Sequence, residues 1–528
     1  MKAGRRRIRR LAGPLAIAVG ALAASGIGLS GMAAGASLGP RPAGSSQMLV
    51  IGSQVAPPTL DPTANAAQAI DEVIDYNVLQ HLVQLAPNGT LAPTLATSWT
   101  TSNRNTVYTF TLRHGVRFSN GDPLTPADVV FSMRRVVAKS YPYASIFDVK
   151  SVRALRGDRV QVTLDQADWN FLFDLAAYSN GVILDPKAVS SLATDPIGTG
   201  PYSVEGETPN YSVTLQTNPS YWGVKPGVSA VEFRYFSDPN ALNAALESGG
   251  INVIDNLATP SDLHTFTSDP AKYVVISGLT NGKVQLTINN QSGAFANKLV
   301  RQAVEYAIDK QAIIKVAAAG DSVAIGSDTV PADPYYLDLA NLYTYDPARA
   351  RQLLAKAGFP HGFSTTLTLP PYYYAALAGP LIQSELAAVG IKVTITNVQW
   401  PLWLSQVFEG GNFAMTIIDH AEARDIGNYA NPAYYWHFAG AKHVAALLSA
   451  AEAAPTQAQW IAETRQVLRL IAADAVNVWL YVLPAMSVHD VGVVGLPSYG
   501  YSESFDLSHA SFGGTIPASL VKLGYSDK

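Results

Sequence analysis

Two hydrophobic periods alternate along this chain. Val107, Thr109 and Thr111 interleave with Tyr108, Phe110 and Leu112, which makes one face apolar and predicts a half-buried strand. The same alternation marks Val160, Val162 and Leu164, then Val231, Phe233 and Tyr235, then Ile391, Val393 and Ile395. Residues 48–52 and 413–418 read as further strands. Elsewhere the period lengthens: Val300, Ala303, Val304, Ala307 and Ile308 fall at helical spacing. Thr125 predicts a helix cap, with Pro126 at the first position and Asp128 facing back; Val129, Val130, Phe131 and Met133 are its expected buried stripe. Asp346-Pro347 opens a helix that ends at Gly358, and a further helix is expected from about Gly379 to Val389, stopped by Gly390. Strands alternating with helices along the whole length place the chain in the α/β class. No fixed-period repeat interrupts the pattern.

The first residues follow another pattern. Residues 1–10 are strongly basic, an apolar stretch runs from Leu11 to about Leu29, and Ala34-Gly35-Ala36 offers small residues for cleavage. This reads as a secretory signal over 1–36, with an uncleaved membrane anchor as the alternative. Paired arginines leave Sec and twin-arginine export both open. Residues 37–46, rich in Gly, Pro and Ser, form a flexible leader, and no later apolar run approaches a membrane span.

At 528 residues with 48% hydrophobic and 14% charged positions, the chain has ample material for two or three compact domains. Zero cysteines exclude a disulfide framework, a thiol nucleophile and a cysteine-linked lipid anchor. The formal charge is −4, but six basic residues lie in residues 1–10; without them thirty basic residues face forty acidic ones, and the net charge is near −10. Such a balance opposes nucleic-acid binding and favours cationic or zwitterionic ligands.

Catalytic signatures are missing. The chain has no Gly-x-Ser-x-Gly elbow, no His-Glu-x-x-His helix and no phosphate-binding glycine loop. Ser519 and Lys522 share a Ser-x-x-Lys spacing without its partner motifs, and the nine histidines are scattered singly. Aromatic clusters stand out instead: Tyr372-Tyr373-Tyr374, Trp400 and Trp403, then Tyr434-Tyr435-Trp436. Aromatic side chains suit either a core or a cleft that meets varied ligands. Between the last two clusters, Asp419-His420-Ala421-Glu422-Ala423-Arg424-Asp425 follows directly on a strand. A charge run of this kind is commonly a solvated loop, yet strand ends at a cleft are where α/β lobes hold ligands.

Several segments together resemble the extracytoplasmic solute-binding proteins of peptide and nickel ABC transporters, solute-binding family 5. They are Thr59-Leu60-Asp61-Pro62, Leu91-Ala92-Pro93 through Ser98-Trp99, and above all residues 108–132 with Gly115-Val116-Arg117-Phe118-Ser119-Asn120-Gly121-Asp122. Gly198-Thr199-Gly200-Pro201-Tyr202, Asn218-Pro219-Ser220-Tyr221-Trp222-Gly223, Val300-Arg301-Gln302-Ala303 and Tyr345-Asp346-Pro347 extend the likeness over nearly the whole mature chain.

The resemblance implies a two-lobed, hinge-connected periplasmic-binding-protein fold of class II. Lobe one would take 47–296, with an extra subdomain at 91–196 and a C-terminal return at 486–528; lobe two would take 297–485. It also implies a monomer outside the cytoplasm that closes on a peptide or small-molecule ligand and delivers it to an ABC permease, without nucleic acid, cofactor, metal or catalytic residues. In such proteins an acidic residue pairs with the peptide's α-ammonium, and Glu422 matches that position, with Asp425 as the next acid. Asp419, His420 and Arg424 complete the segment, while Tyr372, Tyr373, Trp400 and Trp403 are expected pocket walls. Arg424 would meet a ligand carboxylate or pair internally with Asp425 or Glu422. His420 and Arg424 depart from the family pattern. They leave open an amino-acid conjugate, an opine-like compound or another small solute as ligand; the rivals are a metal-chelate or haem binder of the same family and a secreted serine hydrolase.

Overall fold

The computed structural model describes residues 48–257 and 262–528, so the expected export signal (1–36) and leader (37–46) lie outside the described residues. Among these residues the α/β reading holds. Ten strands form one mixed sheet, which runs edge to edge through Ile391–Asn397, Phe363–Leu369, Met415–His420, Tyr273–Ile288, Val478–Asp490, Val253–Ile254, Met48–Ser53, Ala230–Tyr235, Ser212–Thr217 and Tyr202–Thr208. Two of these strands serve both halves of the molecule. Tyr273–Ile288 has 16 residues and Val478–Asp490 has 13, roughly 50 and 40 Å of chain at about 3.3 Å per residue.

Their side chains divide between two cores. Val284, Leu286, Ile288, Val478 and Leu480 pack with Val300, Val304 and Ile382, whereas Tyr273, Met486 and Val488 pack with Val50, Leu246 and Ile254. The antiparallel ladder slips between the cores: Leu279 pairs with Pro484 and Lys283 with Val482, so Thr280, Asn281 and Gly282 stand opposite Leu483 alone. Pro484 has no N–H for the ladder, and Thr280 fills in. Its Oγ1 donates to the Leu483 carbonyl at 2.6 Å and accepts from the Gly282 N–H at 2.9 Å. A bulge of this kind bends and twists its strand, and here it lies where one lobe becomes the other. Phe295, on the lobe-one side of the boundary expected at 296, packs in the second core with Val284 and Ile288.

Beyond Asp490 the chain returns to the first lobe, where Val493, Leu496, Phe505 and Leu507 join its core. Asn77 fastens the tail: its Oδ1 accepts from the Leu507 N–H at 2.9 Å and its Nδ2 donates to the Phe505 carbonyl at 3.0 Å. Within 91–196, strands Ala96–Ser102, Val107–Leu112, Arg159–Leu164 and Val149–Leu155 make a separate four-stranded antiparallel sheet.

Helix Pro126–Lys139 has the expected capping box between Thr125 and Asp128. Its buried stripe, however, is Val129, Ser132, Met133 and Val136, the i, i+3, i+4, i+7 set that one helical face requires; Val130 and Phe131 are only half-buried. Buried Ser132 is satisfied because its Oγ donates to the Asp128 carbonyl and accepts from the Leu184 N–H. The helix expected from Gly379 begins earlier and spans Tyr373–Ala388. Gly379 is an interior position pressed on Leu369, where a Cβ would meet Cδ1 at 2.6 Å, so this glycine marks close packing instead of a start. The strand expected over 413–418 is Met415–His420, which moves Asp419 and His420 from a loop into the sheet.

Gly278 tests the crossing. A Cβ there would lie 2.1 Å from the Ser498 carbonyl oxygen, and that backbone cannot rotate away. Gly278→Ala is expected to destabilise the protein by about 1–3 kcal/mol, seen as a lower urea midpoint at unchanged slope.

Candidate functional site

Strand Met415–His420 lies beside the shared strand with Lys283 opposite His420 and Val284 opposite Asp419. Neighbouring strand residues point to opposite faces, yet both candidates border one cavity. His420 is 3% exposed and its Nε2 lies 2.9 Å from the Tyr435 hydroxyl. Burial takes its pKa down to about 4, and it stands as a neutral, largely buried residue in the cavity wall. Asp419 turns toward the hinge, where a Cβ on Gly282 would meet its Oδ1 at 2.6 Å.

The loop that follows is held by Lys283, which is 2% exposed. Its ammonium lies 2.9 Å from Asp425 Oδ1 and donates to the Glu422 carbonyl at 2.7 Å and the Asn281 carbonyl at 3.2 Å. Burial opposes that charge, but Asp425 and Asp328 outweigh it and raise the lysine's pKa. Asp425 is therefore committed to a structural ion pair.

Glu422 borders three neighbouring cavities that both lobes line. One, of about 310 Å³, has Gln68, Asn256 and Glu503 from the first lobe and Tyr372, Tyr373 and Asp419 from the second. Another, of about 190 Å³, lies between Tyr143, Trp169, Asn170 and Tyr178 on one side and Tyr434 and Trp460 on the other. Glu422 Oε1 is buried without a hydrogen-bond partner, and burial with the neighbouring Asp425 pushes its pKa up to about 8. Burial likewise raises Asp419 and Glu503 to about 7. Among the described residues none of the three carboxyls has an ion-pair partner within 4 Å, and Glu503 meets the Asp71 carboxyl.

Arg424 spans the cleft in a left-handed backbone conformation, φ 57°. It donates to Asn170 Oδ1 at 3.1 Å, lies 3.6 Å over the Phe173 ring, and its Nε is 3.7 Å from Asp333 Oδ1. The internal partner expected for it, Asp425 or Glu422, is thus replaced by Asp333, because Lys283 already holds Asp425. Trp169 and Trp460 stack across the same gap with centroids 6.3 Å apart.

The aromatic candidates divide as well. Tyr372 and Tyr373 line the larger cavity. Trp403 reaches its edge but is 1% exposed and donates from Nε1 to Thr416 Oγ1 at 2.9 Å, while Trp400 stacks on Trp403 at 4.9 Å as a second layer. Sequence reasoning missed Lys283, Asp333, Asn170, Phe173 and Glu503, which lie far from the 419–425 segment in the chain; no spacing signal could connect them.

Metal-binding geometry deserves a chemical test. Ligand atoms of His420, Glu422 and Asp425 all lie within 4.8 Å of one another. The His420 Nε2 is engaged by Tyr435 and Asp425 by the Lys283 ammonium, so a divalent cation would have to displace an existing positive charge. Of the three, only Asp425 is held in a salt bridge, and a cation would have to compete with the Lys283 ammonium for it.

Comparison with known proteins adds an independent finding. Residues 90–443 match the family model described as bacterial extracellular solute-binding proteins, family 5, middle region. The chain is 28% identical over 370 residues to heme-binding protein A of Haemophilus influenzae, covering 63% of this chain and 67% of that one. It is 28% identical over 423 residues to a dipeptide-binding protein of Pseudomonas aeruginosa, covering 73% and 78%. The ABC transporter substrate binding protein CtaP of Listeria monocytogenes superimposes with a TM-score of 0.80 at 22% identity, covering 89% of this chain and all of that one.

The raised carboxyls give a pH prediction. Between their ordinary range near 4 and their folded values of about 7–8, the unfolded chain holds fewer protons, so folded stability falls as pH rises. The melting temperature of ligand-free protein is expected to drop from about pH 5 to about pH 8, and Glu422→Gln to flatten that slope in thermal denaturation.

Proposed function

Since the chain belongs to the bacterial extracellular solute-binding proteins of family 5, we propose that the cleft captures a short peptide or a related zwitterionic solute, with Glu422 as the countercharge for its ammonium. Proteins of this family act outside the cytoplasm and deliver their solute to an ABC permease. Among the described residues no helix is long and apolar enough to cross a membrane. The lobes we assign are 48–257 and 262–279 with 486–528, and 283–482, divided at the bulge.

One observation carries the ligand reading: a buried carboxylate oxygen of Glu422, without a partner, where cavities lined by both lobes converge. An ammonium enclosed by closing lobes loses its water, and a facing carboxylate makes that tolerable. A ligand that touches both lobes stabilises the closed arrangement only by its difference in affinity for closed and open forms. The role is binding without turnover; Ser519, of the isolated Ser-x-x-Lys spacing, is exposed on a five-residue helix. A haem or chelate as ligand would call for free histidines or arginines in the cleft, and His420 and Arg424 are both engaged.

The test is calorimetric titration of ligand-stripped protein with dipeptides and their N-acetylated counterparts. Free dipeptides are expected to bind and acetylated ones to fail. Glu422→Gln is expected to cost about 3–5 kcal/mol, or roughly two to four decades of affinity at about 1.4 kcal/mol per decade. Equal affinity for both peptide forms would remove Glu422 from the role.

A further inference from the structure

Resting on that reading, we infer that the solute carries a second positive charge, and that Glu503, backed by Asp71, receives it from the lobe opposite Glu422. The larger cavity is lined by three carboxylates, Asp419 and Glu422 from one lobe and Glu503 from the other, and by no lysine or arginine among the described residues. Glu422 and Glu503 also share the small cavity beside it, so both face one space.

The cations nearest to this space are already engaged. Lys283 is bound to Asp425 and two carbonyls, and Arg424 to Asp333, Asn170 and the face of Phe173. Behind Glu503, Asp71 is 4% exposed; its carboxyl meets that of Glu503, and its Oδ1 has no other hydrogen-bond partner. Asp71 lies in helix Gln68–Ile74, and Asp75, at the C-terminal cap of that helix, has His81 at 3.4 Å.

Buried carboxyls must keep a proton or find a cation. Among the described residues no free lysine or arginine lines this cavity, so these acids hold protons that a ligand cation can replace, and a single ammonium at Glu422 leaves Glu503 with only the Asp71 carboxyl beside it. Tyr372 and Tyr373 line the same cavity, and aromatic faces add attraction for an ammonium. A solute with one ammonium and one carboxylate would place its anion among these acids without a free partner. The chemistry therefore selects an amine-rich solute with more positive than negative groups, such as a basic peptide.

Ligand-stripped full-length protein would be titrated calorimetrically with Lys-Lys, with norleucyl-norleucine, which has the same length but no side-chain ammonium, with Glu-Glu, and with spermidine. Lys-Lys is expected to bind at least roughly thirtyfold tighter than norleucyl-norleucine, and Glu-Glu weakest of the dipeptides. Glu503→Gln should cut the Lys-Lys advantage about tenfold while norleucyl-norleucine binding persists, which also shows that the variant is folded; Asp71→Asn should act in the same direction. Equal binding of Lys-Lys and norleucyl-norleucine, or an advantage that survives both substitutions, overturns the second charge and leaves peptide capture standing. Spermidine binding without any dipeptide binding upholds the second charge and removes the peptide reading. Failure of all four probes overturns both.

Discussion

A buried ammonium organises this molecule. Lys283 sits at the end of the bulge where the sheet passes from one lobe to the other, and it ties Asp425 and the carbonyls of Asn281 and Glu422 to one point. A buried charge is tolerated only when paired and hydrogen-bonded, so the 421–425 loop must lie against the hinge strand for the fold to be satisfied. Glu422 is aimed into the cleft because the lysine holds its backbone and occupies the competing acid. The position of the candidate site thus follows from an interaction that does not touch a ligand.

Around that fixed point the cleft carries an excess of acid. Asp333 has Arg424 and Asp425 has Lys283, while Glu422, Asp419 and Glu503 are forced toward their protonated forms by burial. Protein and solute therefore have complementary deficits, and closure joins them. Arg424 adds a contact between lobes that needs no ligand, so closure does not rest on the solute alone.

Much of the fold was legible because local chemistry and tertiary structure agree. Thr125, Pro126 and Asp128 cap their helix as expected, and the alternating residues at 107–112 and 160–164 are strands with one buried face. Legibility failed where packing overrode a local signal. Gly379 resembles a helix boundary but is an interior contact with Leu369. At the cleft, the 419–425 segment stood out because its charges are contiguous, and Glu422 within it through the family resemblance, whereas the residues gathered around it, Glu503, Lys283 and Asn170, come from distant segments. Arg424 could not be assigned from sequence, since its acceptor Asp333 lies far away in the chain and Lys283 takes the nearby Asp425.

The bulge has a mechanical meaning. Both lobes hang on one continuous ten-stranded sheet, so they are not beads on a string and opening must flex a hydrogen-bonded fabric. Three residues opposite one give that fabric a pleat of slack at the crossing. Severing the halves there would cut both shared strands in two, since each runs through the crossing along its length. The two jaws can move apart, but neither has an independent existence.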